Sequence, residues 1–205
     1  MKIVILGMGS AAFSIVDTLS QEHNYIISGF IGTKEEDKKY LGKKIYREIP
    51  FLGDRSVLKD LKKQGVYGFI AAIGDRYIRE EAFFEASSYE LRAINAISKN
   101  ASIENNVQIG NGVVISSGCI IQNGVNIGDN CCIESGTIID YQSKIDENCT
   151  ISAGSLIGSR ATIEKNVFIG LRSIVFSKVH IGKHQHVETN TVVKSNLKGL
   201  ARPKK

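Results

Sequence analysis

The stretch Ile103-Glu104-Asn105-Asn106-Val107-Gln108-Ile109-Gly110-Asn111-Gly112-Val113-Val114-Ile115-Ser116-Ser117-Gly118-Cys119-Ile120-Ile121 repeats with a period of six, and the register holds to Val193. The aliphatic rung continues through Ile127, Ile133, Ile139, Ile145, Ile151, Ile157, Ile163, Ile169, Val175, Ile181 and Val187. Two residues before most rungs stands a small or β-branched side chain, such as Val113, Cys119, Cys131, Thr137, Ser143, Cys149, Ser155, Ala161 and Ser173. A period of six matches neither the 3.6 of a helix nor the 2 of a plain strand. It matches short strands bent at fixed intervals, three hexads closing one triangular coil of roughly 18 residues, which is a hexapeptide-repeat parallel β-helix. Three residues after each rung come Asn106, Gly112, Gly118, Gly124, Asn130, Gly136, Asn148, Gly154, Asn166, Asn190 and Asn196. Gly and Asn accept φ > 0 cheaply, so the corners are expected there. Gln142, Arg160, Arg172, Lys178 and His184 break this rule, which makes them the first positions to search for function.

The chain has 205 residues, 42% of them apolar, enough for one or two cored domains. Its net charge of +5 is mild. Basic residues gather from Lys34 to Arg55 and again at Lys194, Lys198, Arg202, Lys204 and Lys205, but no aromatics interleave the tail, so a nucleic-acid partner is not indicated. The opening Met1-Lys2-Ile3-Val4-Ile5-Leu6-Gly7 is too short for a signal h-region, and no apolar run approaches a membrane span. A cytoplasmic protein without membrane insertion is expected. Cys119, Cys131 and Cys149 take the inward small-residue position and read as reduced core thiols; Cys131-Cys132 lacks zinc-ligand spacing.

The first third follows another pattern. Strands are expected at Ile3–Leu6, Tyr25–Ile31, Tyr67–Ile73 and Leu91–Ile97, with helices from Ser10 to about Ser20, Ser56–Lys63 and Arg79–Ser87. Residues 32 to 54 show few periodic signals. Apolar strands alternating with helices imply a small, Rossmann-like parallel sheet covered on both faces. Residues 1–98 are taken as this α/β domain and 99–205 as a β-helix of about five coils with a tail. The turn Gly7-Met8-Gly9-Ser10 between strand and helix can present backbone N–H groups to an anion, or can simply permit a tight turn. A dehydrogenase needs an acid ending the second strand; here Glu35, Glu36 and Asp37 come late, and a nucleotide-sugar diphosphate suits the turn better.

This arrangement resembles the NeuD/PglD-like sugar O/N-acyltransferases over nearly the whole chain. The resemblance rests on Gly7-Met8-Gly9-Ser10 with Asp17, Ser28-Gly29-Phe30-Ile31, Ile49-Pro50-Phe51-Leu52-Gly53, Ala72-Ile73-Gly74-Asp75 with Arg79, the hexads, and Gly199-Leu200-Ala201-Arg202. It implies a left-handed β-helix, a homotrimer, acetyl-CoA or another acyl-CoA lying between two β-helices, and a nucleotide-sugar or amino-sugar acceptor. It places acceptor contacts at Gly7, Gly9, Ser10, Gly74 and Arg79. Cofactor contacts fall at Gly154, Gly158 and Gly170; the basic column of Arg160 and Lys178, which stack eighteen residues apart with Gln142, is a candidate phosphate track. No metal is expected.

The family's general base is a histidine in a segment like Val-Asp-His-Asp. The aligned segment here is Ile139-Asp140-Tyr141-Gln142, so Tyr141 stands for the base and Gln142 for its carboxylate. Gly32-Thr33-Lys34 replaces the family's acidic cluster, and Ser98-Lys99 replaces its His-Pro. A positioned base contributes about 10²–10⁴-fold, and a tyrosine, with an ordinary pKa of about 10, is a poor one at neutral pH. A neutral amine is already nucleophilic, whereas a hydroxyl is not, so an amine acceptor is favoured, with Asp140, Tyr141 and Gln142 at the catalytic corner. Two other readings stay open: a catalytically silent trimer that binds a nucleotide-sugar or acts as a scaffold, and a zinc protein using His180, His184 and His186. His23 is read as a loop residue.

Overall fold

The computed structural model describes residues 1–21 and 24–203, so His23, Lys204 and Lys205 lie outside the described residues. The chain forms two compact units, Met1–Ala96 and Ile97–Lys205.

In the first unit, β1 (Lys2–Leu6) is followed by α1 (Ser10–Ser20), β2 (Ile26–Gly32), α2 (Lys34–Tyr40), β3 (Lys44–Tyr46), β4 (Ile49–Asp54), α3 (Leu58–Leu61), β5 (Val66–Ala71), α4 (Arg76–Ser88) and β6 (Arg92–Ala93). The sheet order is β3-β4-β2-β1-β5-β6, parallel except for the β3–β4 hairpin. Ile3, Val4, Ile5, Phe30, Ile31, Phe69 and Ile70 are buried, as strands covered on both faces require. β1 lies between β2 and β5, which leave it in opposite directions; the crevice at the carboxyl ends beside such a switch point is where open α/β sheets bind ligands.

The first three expected strands and the three helices are present, but the expected strand Leu91–Ile97 is split: Arg92–Ala93 joins this sheet and Ala96–Ile97 is the first strand of the β-helix; the structure adds three elements in the stretch read as aperiodic: α2, β3 and β4. Thr33 and Glu36 start α2 with a capping box: the Thr33 N–H donates to Glu36 Oε2 at 2.7 Å, and the Glu36 N–H donates to Thr33 Oγ1 at 3.2 Å. The β3–β4 hairpin turns through Arg47 and Glu48, at φ of 47° and 64°. Such turns normally carry Asn-Gly or Asp-Gly, so the hairpin has no sequence signature.

The second unit is a left-handed parallel β-helix. Two-residue strands stack into three faces. The first face runs from Ala96–Ile97 to His186–Val187, the second from Ser102–Ile103 to Val192–Val193, and the third from Gln108–Ile109 to His180–Ile181. Each strand pairs in parallel with the one eighteen residues on, for example Ile120 with Ile138 and Ile138 with Leu156. Every corner residue from Asn106 to Asn190 adopts φ between 54° and 74°, including Gln142, Arg160, Arg172, Lys178 and His184.

The small inward position has a second role besides fitting the prism. Ser143 Oγ donates to the Gly158 carbonyl (2.9 Å), Ser155 Oγ to Gly170 (3.0 Å) and Ser173 Oγ to Glu188 (2.9 Å). Cys131 Sγ reaches Asp146 O at 3.0 Å and Cys149 Sγ reaches Glu164 O at 3.1 Å in the same way. All four cysteines are free thiols, with Cys119, Cys131 and Cys149 buried. Burial pushes the Cys119 thiol above its ordinary range, against the opposing pull of backbone N–H groups from Thr137, Ser116 and Gly136. Asn130, Asn148 and Asn166 form a buried ladder of side-chain hydrogen bonds along one corner. At the C-terminal end Leu197 bridges to Ile181 and packs against the core, closing the last coil.

Candidate functional site

The first unit holds a cavity of 690 Å³ at the carboxyl ends of β1, β2, β4 and β5. Gly7, Gly9 and Gly74 line it, with Thr33, Lys34, Glu35, Asp54, Arg55, Ser56 and Glu85 among the polar wall residues. Gly7 is there for steric reasons. Its φ is +101°, a Cβ would sit 2.6 Å from the Ala72 carbonyl oxygen, and its N–H already donates to Ile31 O at 2.7 Å. Gly9 caps α1 without a side-chain hydrogen bond, and nothing lies within 4 Å of its missing Cβ. The N-cap Gly9 lines the cavity, which puts the start of α1, with its unpaired N–H groups, at the cavity wall.

Ser10 and Arg79 are outside the cavity wall. Arg79 is 1% exposed and donates from Nη1 to the Ile73 carbonyl at 3.2 Å, so it braces the Ile73–Gly74 wall from behind. Asp75 caps α4 through bonds from the Tyr77 and Ile78 N–H groups. At the far wall Arg55 pairs with Glu85 at 3.3 Å. The Ser56 hydroxyl and N–H hold the Asp54 carboxyl below the usual carboxylate range. Lys34, Asp54, Arg55 and Ser56 were not singled out from sequence; the signal available was their place just after strand ends in a parallel sheet.

In the β-helix, Asp140, Tyr141 and Gln142 occupy the corner between the second and third faces. Asp140 Oδ1 accepts the Tyr141 N–H at 2.8 Å. Tyr141 is 40% exposed, and the Arg160 guanidinium stands over its ring, 5.9 Å from the centroid. Arg160 Nε donates to Gln142 Oε1 at 3.3 Å, and the Arg160 N–H donates to the Tyr141 carbonyl at 2.9 Å. Ser159 Oγ donates to Ser177 Oγ one coil on, at 3.2 Å, and the Lys178 N–H donates to Ser159 O. The column Gln142, Arg160 and Lys178 is thus one polar edge, with Tyr141 at its foot.

Gly158 belongs to this edge, but Gly154 and Gly170 lie at the other corner of the second face, between the first and second. Gly158 and Gly170 are fixed by packing: a Cβ on Gly158 would lie 2.6 Å from Ser177 N, and one on Gly170 2.5 Å from Thr189 N. The histidines are dispersed. His180 Nε2 lies 3.0 Å from Glu164 Oε1, His186 stacks on Phe168 at 4.6 Å, and His184 takes an αL corner. Among the described residues no group of three or more His, Cys, Asp or Glu is placed to hold a metal ion.

Residues 2–86 match the PglD N-terminal domain, residues 160–195 the hexapeptide repeat of succinyl-transferase, and residues 73–174 the GMPPB C-terminal domain. No curated protein sequence matches the chain. Among solved structures, PerB from Caulobacter crescentus in complex with CoA and GDP-perosamine is 24% identical, with 98% of this chain and 92% of that chain covered and a TM-score of 0.72. A mutant of perosamine N-acetyltransferase from the same organism gives 23% identity, 97% and 91% coverage and a TM-score of 0.73. The acetyltransferase domain of PglB from Neisseria gonorrhoeae gives 17%, 96% and 92%, and 0.62. These structures bear on fold alone. The order of the matches, a PglD-type N-terminal domain and then a hexapeptide repeat, is the order on which the resemblance to the NeuD/PglD-like acyltransferases rests.

Proposed function

We propose that this protein transfers an acetyl group, or another acyl group, from acyl-coenzyme A to the amino group of a nucleotide-linked sugar, and that it works as a cytoplasmic homotrimer. The observation that carries the reading is the pairing, in one chain, of a cavity at the Gly7–Gly9 turn with a hexapeptide β-helix that bears a basic corner. Among the solved neighbours that span almost all of the chain, a mutant perosamine N-acetyltransferase and PerB are in complex with CoA and GDP-perosamine, which supports an amino-sugar acceptor.

The residues present suit that chemistry. Arg160 and Lys178 offer cations for the phosphates of coenzyme A, and the uncapped start of α1 suits a nucleotide diphosphate. In the reaction the amine nitrogen bonds to the thioester carbonyl carbon, the C–S bond breaks, and coenzyme A leaves as the thiol after nitrogen gives up a proton. Tyr141 orients the acceptor through its hydroxyl. Because the amine sheds its proton only after attack, no strong base is needed beforehand. An open-state histidine is absent from this corner, which is why a hydroxyl acceptor is disfavoured.

The test follows coenzyme A release from acetyl-CoA, with a nucleotide-linked amino sugar and its hydroxyl counterpart offered separately. Turnover of the amino sugar is expected; turnover of the hydroxyl compound alone removes the proposal. Calorimetry showing no binding of acetyl-CoA removes the enzyme reading altogether and leaves a silent binding trimer.

A further inference from the structure

The ends of three adjacent strands, β1, β2 and β4, wall the cavity of the first unit on one side. The Gly7–Gly9 turn follows β1, Gly32 closes β2 and Asp54 closes β4, with Gly32 and Asp54 paired in register. Asp54 therefore stands two strand spacings, about 10 Å, from the Gly7–Gly9 turn. With phosphates at that turn and a ribose at the end of β2, as in dinucleotide-binding sheets, a base falls at the end of β4. Four acids line the cavity. Glu36 accepts the Thr33 N–H in the capping box, Glu85 pairs with Arg55, and Glu35 is exposed on α2. Asp54 is held differently. The Ser56 hydroxyl and N–H (2.9 Å to Oδ1) both bond its carboxyl, and the charges of Lys34 and Arg55 act in the same sense, so it stays ionised and can only accept. Those two bonds leave carboxylate lone pairs over. Its neighbour Arg55 can only donate. Arg55 Nη1 is sealed from solvent and makes no hydrogen bond, with Glu85 Oε2 at 3.3 Å, so the ion pair anchors one arm of the guanidinium and leaves Nε and Nη2 to donate elsewhere.

We propose that Asp54 and Arg55 read the nucleobase of the acceptor and select bases with a keto–imino edge: uracil, thymine, guanine or hypoxanthine. In each of these a ring N–H lies beside a carbonyl. Asp54 takes the N–H and Arg55 donates to the carbonyl oxygen. Adenine and cytosine carry the reverse pattern, a bare ring nitrogen beside an amino group. That pattern sets a lone pair against the carboxylate and an N–H against the guanidinium. Both contacts are lost and both protein groups are left without partners, which costs the wrong base about 10–100-fold in binding. The acids that the resemblance places after the second strand are replaced here by Gly32-Thr33-Lys34, so the reading of the base passes to the next strand, β4. That a nucleotide enters the cavity rests on the proposed function; the choice among bases follows from Asp54 and Arg55.

The experiment is titration calorimetry of the full chain with two matched pairs of nucleoside diphosphates. Inosine and adenosine diphosphates differ only along the edge in question, and so do uridine and cytidine diphosphates; ribose, phosphates and ring size are constant within each pair. The keto member is expected to bind about 10–100-fold more tightly in at least one pair, and the pair that discriminates names the ring size that reaches β4. Asp54→Asn with Arg55→Gln offers the ring nitrogen a donor and the amino group an acceptor, and is expected to bring that ratio to within about threefold. Asparagine can still cap the Ser56 N–H, and far-UV circular dichroism reports whether the variant is folded; should it fold poorly, the native ratios decide alone. Equal binding within both pairs, a preference for the amino members, or a ratio unchanged in the folded variant overturns the proposal and leaves the nucleotide-linked acceptor of the proposed function standing. If none of the four diphosphates binds, the nucleotide-linked acceptor falls, and the base selection with it.

Discussion

Replacement of Ser143 by alanine, cysteine and valine separates hydrogen bonding from volume as the basis for the small inward position. Ser143 is fully buried, and its Oγ donates to the Gly158 carbonyl at 2.9 Å. That carbonyl also accepts the Ala161 N–H at 3.1 Å, so losing the serine leaves one lone pair, not the whole group, without a donor. An unsatisfied buried acceptor costs about 1–3 kcal/mol; with one donor retained, Ser143→Ala is expected to cost about 1–1.5 kcal/mol. Cysteine does the same task at Cys131 and Cys149, so Ser143→Cys is expected to recover about half of the loss. Valine stands in the same column at Val125 and Val179, and its two methyls, at about 0.8 kcal/mol each, offset the missing bond to within about 0.5 kcal/mol. Urea unfolding followed by circular dichroism ranks the three. Valine as costly as alanine, or cysteine worse than alanine, would refute the account. Because Gly158 opens the corner that stacks on Tyr141, Ser143→Ala is also expected to speed hydrogen exchange at Ser159 and Arg160.

Other substitutions test the remaining parts of the structure. Gly158→Ala drives a Cβ to 2.6 Å from backbone and is expected to cost more than about 2 kcal/mol, whereas Gly154→Ala, with Arg172 Cγ at 3.4 Å and φ of 68°, is expected to cost only about 1 kcal/mol in urea unfolding. Lys178→Gly relieves a left-handed lysine at φ 63° and is expected to gain about 0.5–1 kcal/mol by the same measurement while weakening acetyl-CoA binding in calorimetry. Alkylation with iodoacetamide, read by mass spectrometry, is expected at the half-exposed Cys132 first and at Cys119 last. Since the Cys119 pKa is raised by folding, the folded protein holds that proton more tightly; its contribution to stability is present below the ordinary thiol range and is lost as pH rises through and beyond it, seen as a falling urea midpoint. Gly7→Ala at φ +101°, with its Cβ at 2.6 Å from Ala72 O, is expected to displace the cavity wall and to reduce binding of nucleoside diphosphates in calorimetry.

The β-helix was legible because each of its rules is local and repeats. Ile103 to Val193 specify rungs by hydrophobicity, and Asn or Gly three residues on specify corners by tolerance of positive φ. The role of Cys131, Cys149, Ser143 and Ser155 as donors was hidden because the bond reaches a carbonyl fifteen residues away, a separation that no local pattern displays. The Thr33–Glu36 capping box has a sequence signature, Thr-x-x-Glu; the hairpin at Arg47-Glu48 has none, since neither residue advertises positive φ. In the cavity, Gly7 and Gly9 followed from the strand–turn–helix grammar and Gly74 from the resemblance, but Asp54 and Arg55 enter at the end of β4, and placing them requires knowing the sheet order. Arg79 shows the opposite failure: its motif was recognised, and its side chain turned inward to hold a carbonyl.

The five corner residues that are neither Gly nor Asn adopt the left-handed conformation anyway, so the fold bears strain of order 1–3 kcal/mol at each. Glycine or asparagine would have avoided part of it, as they do at the other corners. Four of the five, Gln142, Arg160, Lys178 and Arg172, stand on the two edges of the second face, and His184 alone stands elsewhere. Gln142, Arg160, Arg172 and Lys178 are exposed, so the strain places three cations and an amide beside the exposed Ile120, Leu156, Ile174 and Val192 of that face. Random drift would spread such exceptions over all three edges along the whole length. Four of the five instead flank the second face, from Gln142 onward. Tyr141 stands on one of these edges, with the Arg160 guanidinium over its ring. On the proposed function, these cations suit a phosphate-bearing donor, and a tyrosine in place of a base suits an acceptor that is nucleophilic without one.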